Sequence, residues 1–554
     1  MILTMDPDRP LAASIDLRDG VIDGLDQPDD GRGAGAVVDL DGAVVAPGFI
    51  DAHLHLLAGG LSLCRLDLAT VRSRDAFERA VEAEHRRLPS GAWLEGGGWS
   101  ETGMPGRAMP DRTWLLACGD RPAVLFRMDH HACVVNDALL ALLERRGLLA
   151  TDPPGGRIVR DATGRPTGLL IEAAAWMVNT LAPQPSTERR REALAKATAM
   201  LLSVGVTAAG AMEHARDVEE VLRDGCAASE APVPRLAVTL LDRAWPLDIA
   251  SARSLANSLR DHPRLGILGM KAFLDGTLGS RSARMLDAYA DDPGNRGMFL
   301  ELAIDGAIPD EGRPRGRRLH EWARIVDGAG LSPSMHAIGD DAFRLALEVA
   351  EALSPSAHVR IEHCQTISPD DLPRTRGRWM SMQPLHKADD ARIALDRLGS
   401  GRLDRFFPFR SLLEHGAELA FGSDWPIVSP DPLRGIRSAV TGLALDGAVV
   451  AAQECIAAPR ALAAYTVKAA RMLRLERLGA LRRGHHADLV ALATPSNAQR
   501  AAGPACGAPC LAAGDDPDHR AAPFADEAAA IAITVLGGVA RHVSPGAGSL
   551  REPR

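Results

Sequence analysis

Ala46-Pro-Gly-Phe-Ile-Asp-Ala-His53-Leu-His55 is the stretch on which the fold turns. It reads as a β-strand ending in two histidines separated by one residue. Residues i and i+2 of a strand face the same side, so both imidazoles can point into one mouth and hold one metal ion. With 17 histidines in 554 residues, chance supplies about half of one such pair, and two ordinary surface histidines would look the same. What stands downstream decides.

Seven further β-rich apolar runs follow, at 204–212, 235–241, 267–275, 331–337, 358–364, 378–384 and 417–424, after a first strand at 44–55. Helical patterns such as 188–202, 246–259, 341–353 and 457–475 separate most of them. Eight alternations of β and α predict an α/β fold, a (β/α)8 TIM-like barrel. Such barrels place their chemistry at the C-terminal ends of the strands, and Lys271, His336, His363 and Asp424 sit there on strands four, five, six and eight. Any one alone reads as a hydrogen-bonded structural residue or a helix cap. Together with His53 and His55 they form a candidate metal centre. Imidazoles mixed with a carboxylate suit zinc, or a related divalent ion, better than magnesium or calcium.

About 150 residues separate the first strand from the second, where about 30 would close a βα unit. An insertion domain is therefore expected at 61–184, carrying Gly96-Gly-Gly-Trp99 and a strand at 123–127. The barrel would occupy 47–60 and 185–478. The chain's extremes are β-rich at 21–38, 487–493 and 531–543, and one small β-sandwich built from 1–46 and 479–554 accounts for both. Residues 495–524, rich in Ala, Gly, Pro and Asp, are expected to form a mobile surface excursion.

Composition narrows the function. The chain is 46% hydrophobic and 24% charged, close to the globular average, and has no apolar run of the roughly 18 residues that a membrane span needs. Lys and Arg number 63 against 72 Asp and Glu, a net charge of -9, and no basic cluster is interleaved with aromatics, so neither nucleic acid nor membrane is an expected partner. Met1-Ile-Leu-Thr-Met-Asp-Pro-Asp8 has neither the basic start nor the apolar core of a signal peptide, which makes cytoplasmic location the expectation. The 8 cysteines show no framework spacing, and Cys506 and Cys510 have no partner ligand nearby, so all are read as reduced. Association into a homo-oligomer is left open.

The first-strand segment, His336-Ala-Ile-Gly-Asp340, Glu362-His363, Gln383-Pro-Leu-His386 and Gly422-Ser-Asp-Trp-Pro426 together resemble the amidohydrolase superfamily, and within it the family-3 branch that includes N-substituted formamide deformylases. Gly98-Trp99, Arg127-Met-Asp-His-His131-Ala, Pro166-Thr-Gly-Leu-Leu-Ile-Glu172, Lys271 to Gly279 and Gly484-His-His-Ala-Asp488-Leu extend the resemblance over roughly residues 15–495 and then 531–543. It implies that His53, His55 and Asp424 bind the more buried metal and that His336 and His363 bind a second. Lys271 would bridge both as a carbamate, N6-carboxylysine. Two departures stand out. His130 occupies a position where the branch usually has Gly, and a strand that often precedes Ile2-Leu3-Thr4 is missing.

The resulting expectation is a metal-dependent hydrolase that cleaves an amide-type C–N bond, in the narrowest form that of an N-substituted formamide, by metal-activated hydroxide, with one or two ions bound. Asp424 is the expected catalytic residue, as proton acceptor and then donor. Trp99, His131 and His386 are candidate substrate-binding residues. Two alternatives stay open: a mononuclear deaminase of an amino-heterocycle, disfavoured because no Glu follows His336, and a catalytically silent barrel that binds a small ligand.

Overall fold

The structure, a computed structural model, describes residues 1–27, 37–40, 43–101, 104–127, 132–153, 156–228, 232–242, 247–300, 302–303, 315–493 and 519–544. Met1–Gly59 and Leu194–Arg554 form one compact unit, and Gly60–Ala193 form a second.

Eight parallel strands build the centre of the first unit: β1 (Phe49–Leu54), β2 (Val206–Glu213), β3 (Arg235–Leu240), β4 (Leu265–Phe273), β5 (Ser332–Ala337), β6 (Arg360–His363), β7 (Trp379–Met382) and β8 (Glu418–Phe421). Each pairs with the next in chain order. All eight positions of β2, Val-Thr-Ala-Ala-Gly-Ala-Met-Glu, are buried, as expected for a parallel strand covered on both faces. The helices supply that cover. Arg317–Gly328, for example, buries Leu319, Trp322, Ala323 and Val326, one stripe at helical spacing.

β8 is drawn to β1 beyond the end of the regular pairing. Asp424 N–H donates to His53 O at 2.6 Å, His55 N–H to Trp425 O at 2.8 Å, and Ser423 N–H to Asp51 Oδ1 at 3.1 Å. At Gly422 a Cβ would stand 2.5 Å from His53 N, so the approach needs a residue without a side chain.

The expected first strand, 44–55, is two strands. Val44–Pro47 pairs antiparallel with Leu489–Ala493 in a terminal sheet, and β1 starts only at Phe49. The switch falls at Gly48, where a Cβ would lie 2.2 Å from Thr207 Oγ1. The terminal sheet has six strands, in the order Leu11–Ala12, Ile2–Leu3, Val44–Pro47, Leu489–Ala493, Ala530–Leu536 and Val539–Val543. Ile2–Leu3 pairs with Val44–Pro47 in this sheet. Of the β-rich 21–38, Val21–Leu25 forms a hairpin with Ile15–Arg18, and 28–36 lie outside the described residues.

Three other expectations are corrected or bounded. The helical pattern at 457–475 is two helices, Ala458–Ala464 and Val467–Met472. The break comes because Tyr465 O, which a continuous helix would keep, accepts the N–H of Ile50 on β1 at 2.7 Å. Of 495–524, residues up to 518 lie outside the described set, but the end is no surface excursion: Phe524 is fully buried and meets Phe49 edge-on at 6.1 Å. Cys64, Cys118, Cys133, Cys226, Cys364 and Cys455 are free and buried, while Cys506 and Cys510 lie outside the described residues. No helix among the described residues is long and apolar enough to cross a membrane.

The second unit holds a six-stranded mixed sheet, ordered Gly156–Arg160, Pro166–Glu172, Ala132–Val135, Ala123–Arg127, Leu94–Trp99 and Leu66–Asp67. Phe77, Trp99, Trp114 and Leu125 anchor one side of its core.

One ion pair ties the terminal sheet to the barrel. Asp488 Oδ2 receives Arg235 Nε at 3.0 Å and Asp488 Oδ1 receives Gly537 N–H at 2.7 Å, with the two side chains 1% and 9% exposed. Deleting one partner of a buried pair strands the other charge, at a cost of about 3–5 kcal/mol. Asp488→Ala should therefore lower the melting temperature by several degrees in thermal unfolding; a change of about 1 °C or less would show that this pair does not hold the two parts together.

Candidate metal centre

β1 carries His53 into the barrel and leaves His55 at its mouth, with side chains 1% and 26% exposed. His53 Nδ1 donates to Glu362 Oε2 at 2.7 Å. An ionised carboxylate can only accept, so this bond puts the proton on Nδ1 and leaves Nε2 as a lone pair. That Nε2 is buried, has no hydrogen-bond partner, and lies 3.4 Å from Asp424 Oδ1. His55 Nε2 is 3.3 Å from the same oxygen. Among the described residues, His53, His55 and Asp424 form the group of donors whose ligand atoms all lie within 4.8 Å of one another. A buried imidazole lone pair facing a carboxylate oxygen is repulsive as it stands, and a divalent cation between them removes the conflict; the donor set fits such an ion.

The other predicted ligands converge on the same mouth. The His336 and His363 rings lie 4.4 Å apart, and His363 is 5.0 Å from His53. His363 Nδ1 meets Gln383 Oε1 at 3.0 Å, which leaves Nε2 open. His336 turns Nε2 to Gly276 O at 3.2 Å and Asp275 Oδ1 at 3.5 Å, which leaves Nδ1 open. Lys271 is only 2% exposed; burial pushes its ammonium down to about 8 against the attraction of Glu362 and Asp424. His386 Nε2 stands 3.8 Å from Asp424 Oδ2 and is buried without a hydrogen bond.

Charge at the site is set by burial against these neighbours. Burial would raise the Glu362 carboxyl, but Arg360, His53 and Lys271 overcome it and hold the group well below the usual range. Asp424 likewise lies well below the usual carboxylate range despite its burial. Burial and Lys271 press His336 down to about 3, and burial with His336 holds His363 well below its ordinary value. Both rings are therefore neutral, as ligands must be.

Two of the candidate ligands occupy the left-handed region, His363 with φ 73° and Asp424 with φ 57°. For non-glycine residues this costs on the order of 1–3 kcal/mol each. At His363 the reason is visible: Arg360 and Glu362 already point into the barrel, so regular alternation would turn residue 363 outward. The twist brings it back into the mouth.

Several groups at the site were not foreseen. Glu362 binds His53, and its other oxygen takes Arg360 at 2.9 Å and Ser334 Oγ at 2.6 Å. Asp275 accepts the N–H groups of Ile338, Gly339 and Arg284. Asp51 accepts those of His53 and Ser423. All three stand inside motifs noted in the sequence, the only signal that could have marked them. Trp99, a candidate substrate contact, is instead fully buried in the core of the second unit, its indole N–H donating to Leu125 O at 2.9 Å. No face of it is open to a ligand. His131 lies outside the described residues.

Comparison with known proteins agrees with this geometry. The model described as "Amidohydrolase family" matches residues 36–509. Protein LONG AFTER FAR-RED 3 of Arabidopsis thaliana is 34% identical over 83% of this chain and 79% of its own length. The N-substituted formamide deformylase of Arthrobacter pascens is 25% identical over 83% of this chain and 86% of its own. The crystal structure of an uncharacterized metal-dependent hydrolase from Pyrococcus horikoshii OT3 superposes with a TM-score of 0.69 at 25% identity, over 89% of this chain and 96% of the other. A barrel whose mouth gathers His53, His55, Lys271, His336, His363 and Asp424, joined to a family match over most of its length, places the chain in the amidohydrolase family as a metal-dependent hydrolase.

Proposed function

We propose that the chain hydrolyses an amide-type C–N bond of a small molecule, with N-substituted formamides as the first class to try. The observation that carries this reading is the unpartnered Nε2 of His53, fixed by Glu362 and aimed at Asp424 beside His55. The Arthrobacter pascens relative supports the choice of first substrates.

In this reading His53, His55 and Asp424 hold one divalent ion, zinc by donor type. His336 and His363 hold a second through their open nitrogens. When bound, the metal supplies Lewis acidity that brings the pKa of water towards about 7. Asp424 takes the proton from the attacking water and returns it to the nitrogen of the departing amine, which cannot leave readily as its anion. Glu362 keeps the His53 ring in one tautomer, and Gln383 does the same for His363. His386, 3.8 Å from Asp424, orients the carboxylate or the substrate carbonyl. Lys271, nearly out of water and pushed down to about 8, has an amine nucleophilic enough to capture carbon dioxide. The resulting carbamate would turn a cation facing two metals into an anion that holds both.

Four measurements test the proposal. Prolonged dialysis against a strong chelator should abolish hydrolysis of N-substituted formamides and lower the melting temperature, and zinc or manganese should restore both. Full turnover by demonstrably metal-free protein would refute it. Asp424→Asn keeps the shape without the basic carboxylate, so kcat should fall by a factor of about 10² or more; near-parental kcat in a variant that still carries metal would assign the proton transfer elsewhere. Lys271→Ala should lose metal and most activity, with acetate or propionate restoring part of both. Mass spectrometry of the native protein should show an added carbon dioxide that the variant lacks, and its absence from metal-loaded protein would remove the carbamate.

A further inference from the structure

At the end of the barrel opposite the ligands, a cavity of about 560 Å³ opens around the starts of β3 and β4 and the residues just before β5. Its charge is lopsided. Arg253, Arg260, Arg264 and Arg474 line it, with Glu476 the one acid among the described residues that do so. A fifth arginine, Arg235, is already committed to Asp488. Among the described residues the other four form no ion pair with a carboxylate: Arg260 reaches the Asn257 side-chain oxygen and Arg264 reaches Val233 O, both neutral acceptors.

The crowding leaves its mark on the neighbours. Burial, with repulsion from Arg235 and Arg541, lowers the Arg264 guanidinium against the pull of Asp488. Burial and Arg235 likewise push His486, also on the wall, down to about 4. His262 Nδ1 accepts the N–H of Arg264, so the neutral ring carries its proton on Nε2, and that N–H is buried with no acceptor. Leu236, Leu331 and Leu473 supply apolar patches of the wall, which also carries Asn257, His262 and His486.

Cations gathered around one concave site repel one another until an anion joins them, and planar guanidinium groups match phosphate and carboxylate oxygens in pairs. We propose that this cavity is a binding site, separate from the metal centre, for a small dianion with an apolar body, a phosphate monoester or a dicarboxylate. The arginines take the dianionic head and the leucines take the body.

The test uses the metal-loaded full chain with phenyl phosphate and phthalate as probes, and sodium chloride at matched ionic strength as control. Calorimetric titration and melting curves should show saturable binding of at least one dianion with Kd below about 1 mM, and a rise in melting temperature that chloride does not produce. Phenyl phosphate alone would identify a phosphoryl ligand, phthalate alone a dicarboxylate, and both a site that selects on charge. In Arg253→Gln/Arg474→Gln, two exposed positions whose loss should leave the unliganded melting temperature unchanged, affinity should fall by about tenfold or more, as expected for two lost charge-assisted contacts. Failure of both dianions to bind, or binding of equal strength in the double variant, as at the metal centre, would overturn the proposal.

Discussion

The Glu362 carboxylate lies wholly out of water inside the barrel, where Arg360, Ser334 and His53 converge on its two oxygens. Burying a lone carboxylate costs several kcal/mol, and Arg360, equally buried, offsets this while also bonding Ala52 O on β1. The pair does more than neutralise itself. It fixes the charge of Glu362, the charge fixes the tautomer of His53, and the tautomer decides which nitrogen faces Asp424. The properties of the mouth follow from a salt bridge beneath it.

Strain at the mouth fits the same picture. A carboxylate and an imidazole on the ends of two strands would ordinarily point wherever pleating sent them. Left-handed backbone at His363 and Asp424 redirects both, and it persists because the surroundings over-determine it: Asp424 N–H is held by His53 O, and Cys364 N–H by Ala337 O at 3.0 Å. The cost in stability falls on the candidate ligands.

Much of this was readable in the amino-acid order. Strand-forming runs at helical intervals gave the barrel, because a parallel strand covered on both faces must be apolar throughout. His53, His55, Lys271, His336, His363 and Asp424 were visible because they end those runs. Glu362 was not, since its role depends on a histidine 309 residues away, and no local pattern encodes that distance. Asp275 was hidden for the same reason; it binds N–H groups 63 and 64 residues on. Trp99 was read as a substrate contact from the insertion, whereas the glycines before it let its strand pass tightly beside Leu66 and Phe126 and its ring is spent in the core. The break at Tyr465 was invisible because the carbonyl that ends the helix is claimed by β1.

The seam between β8 and β1 joins residues 372 positions apart, Asp51 and Ser423. On a ribosome adding roughly 5–20 residues per second, the histidine pair emerges some 20 to 70 s before the carboxylate that completes its set. Until then the nascent chain has an open sheet with an unpaired first edge and only part of its candidate ligand set. Closure of the cylinder is thus a late event, and an ion bound there would act as a clasp on the last gap to shut, stabilising the contact of greatest loop-closure cost.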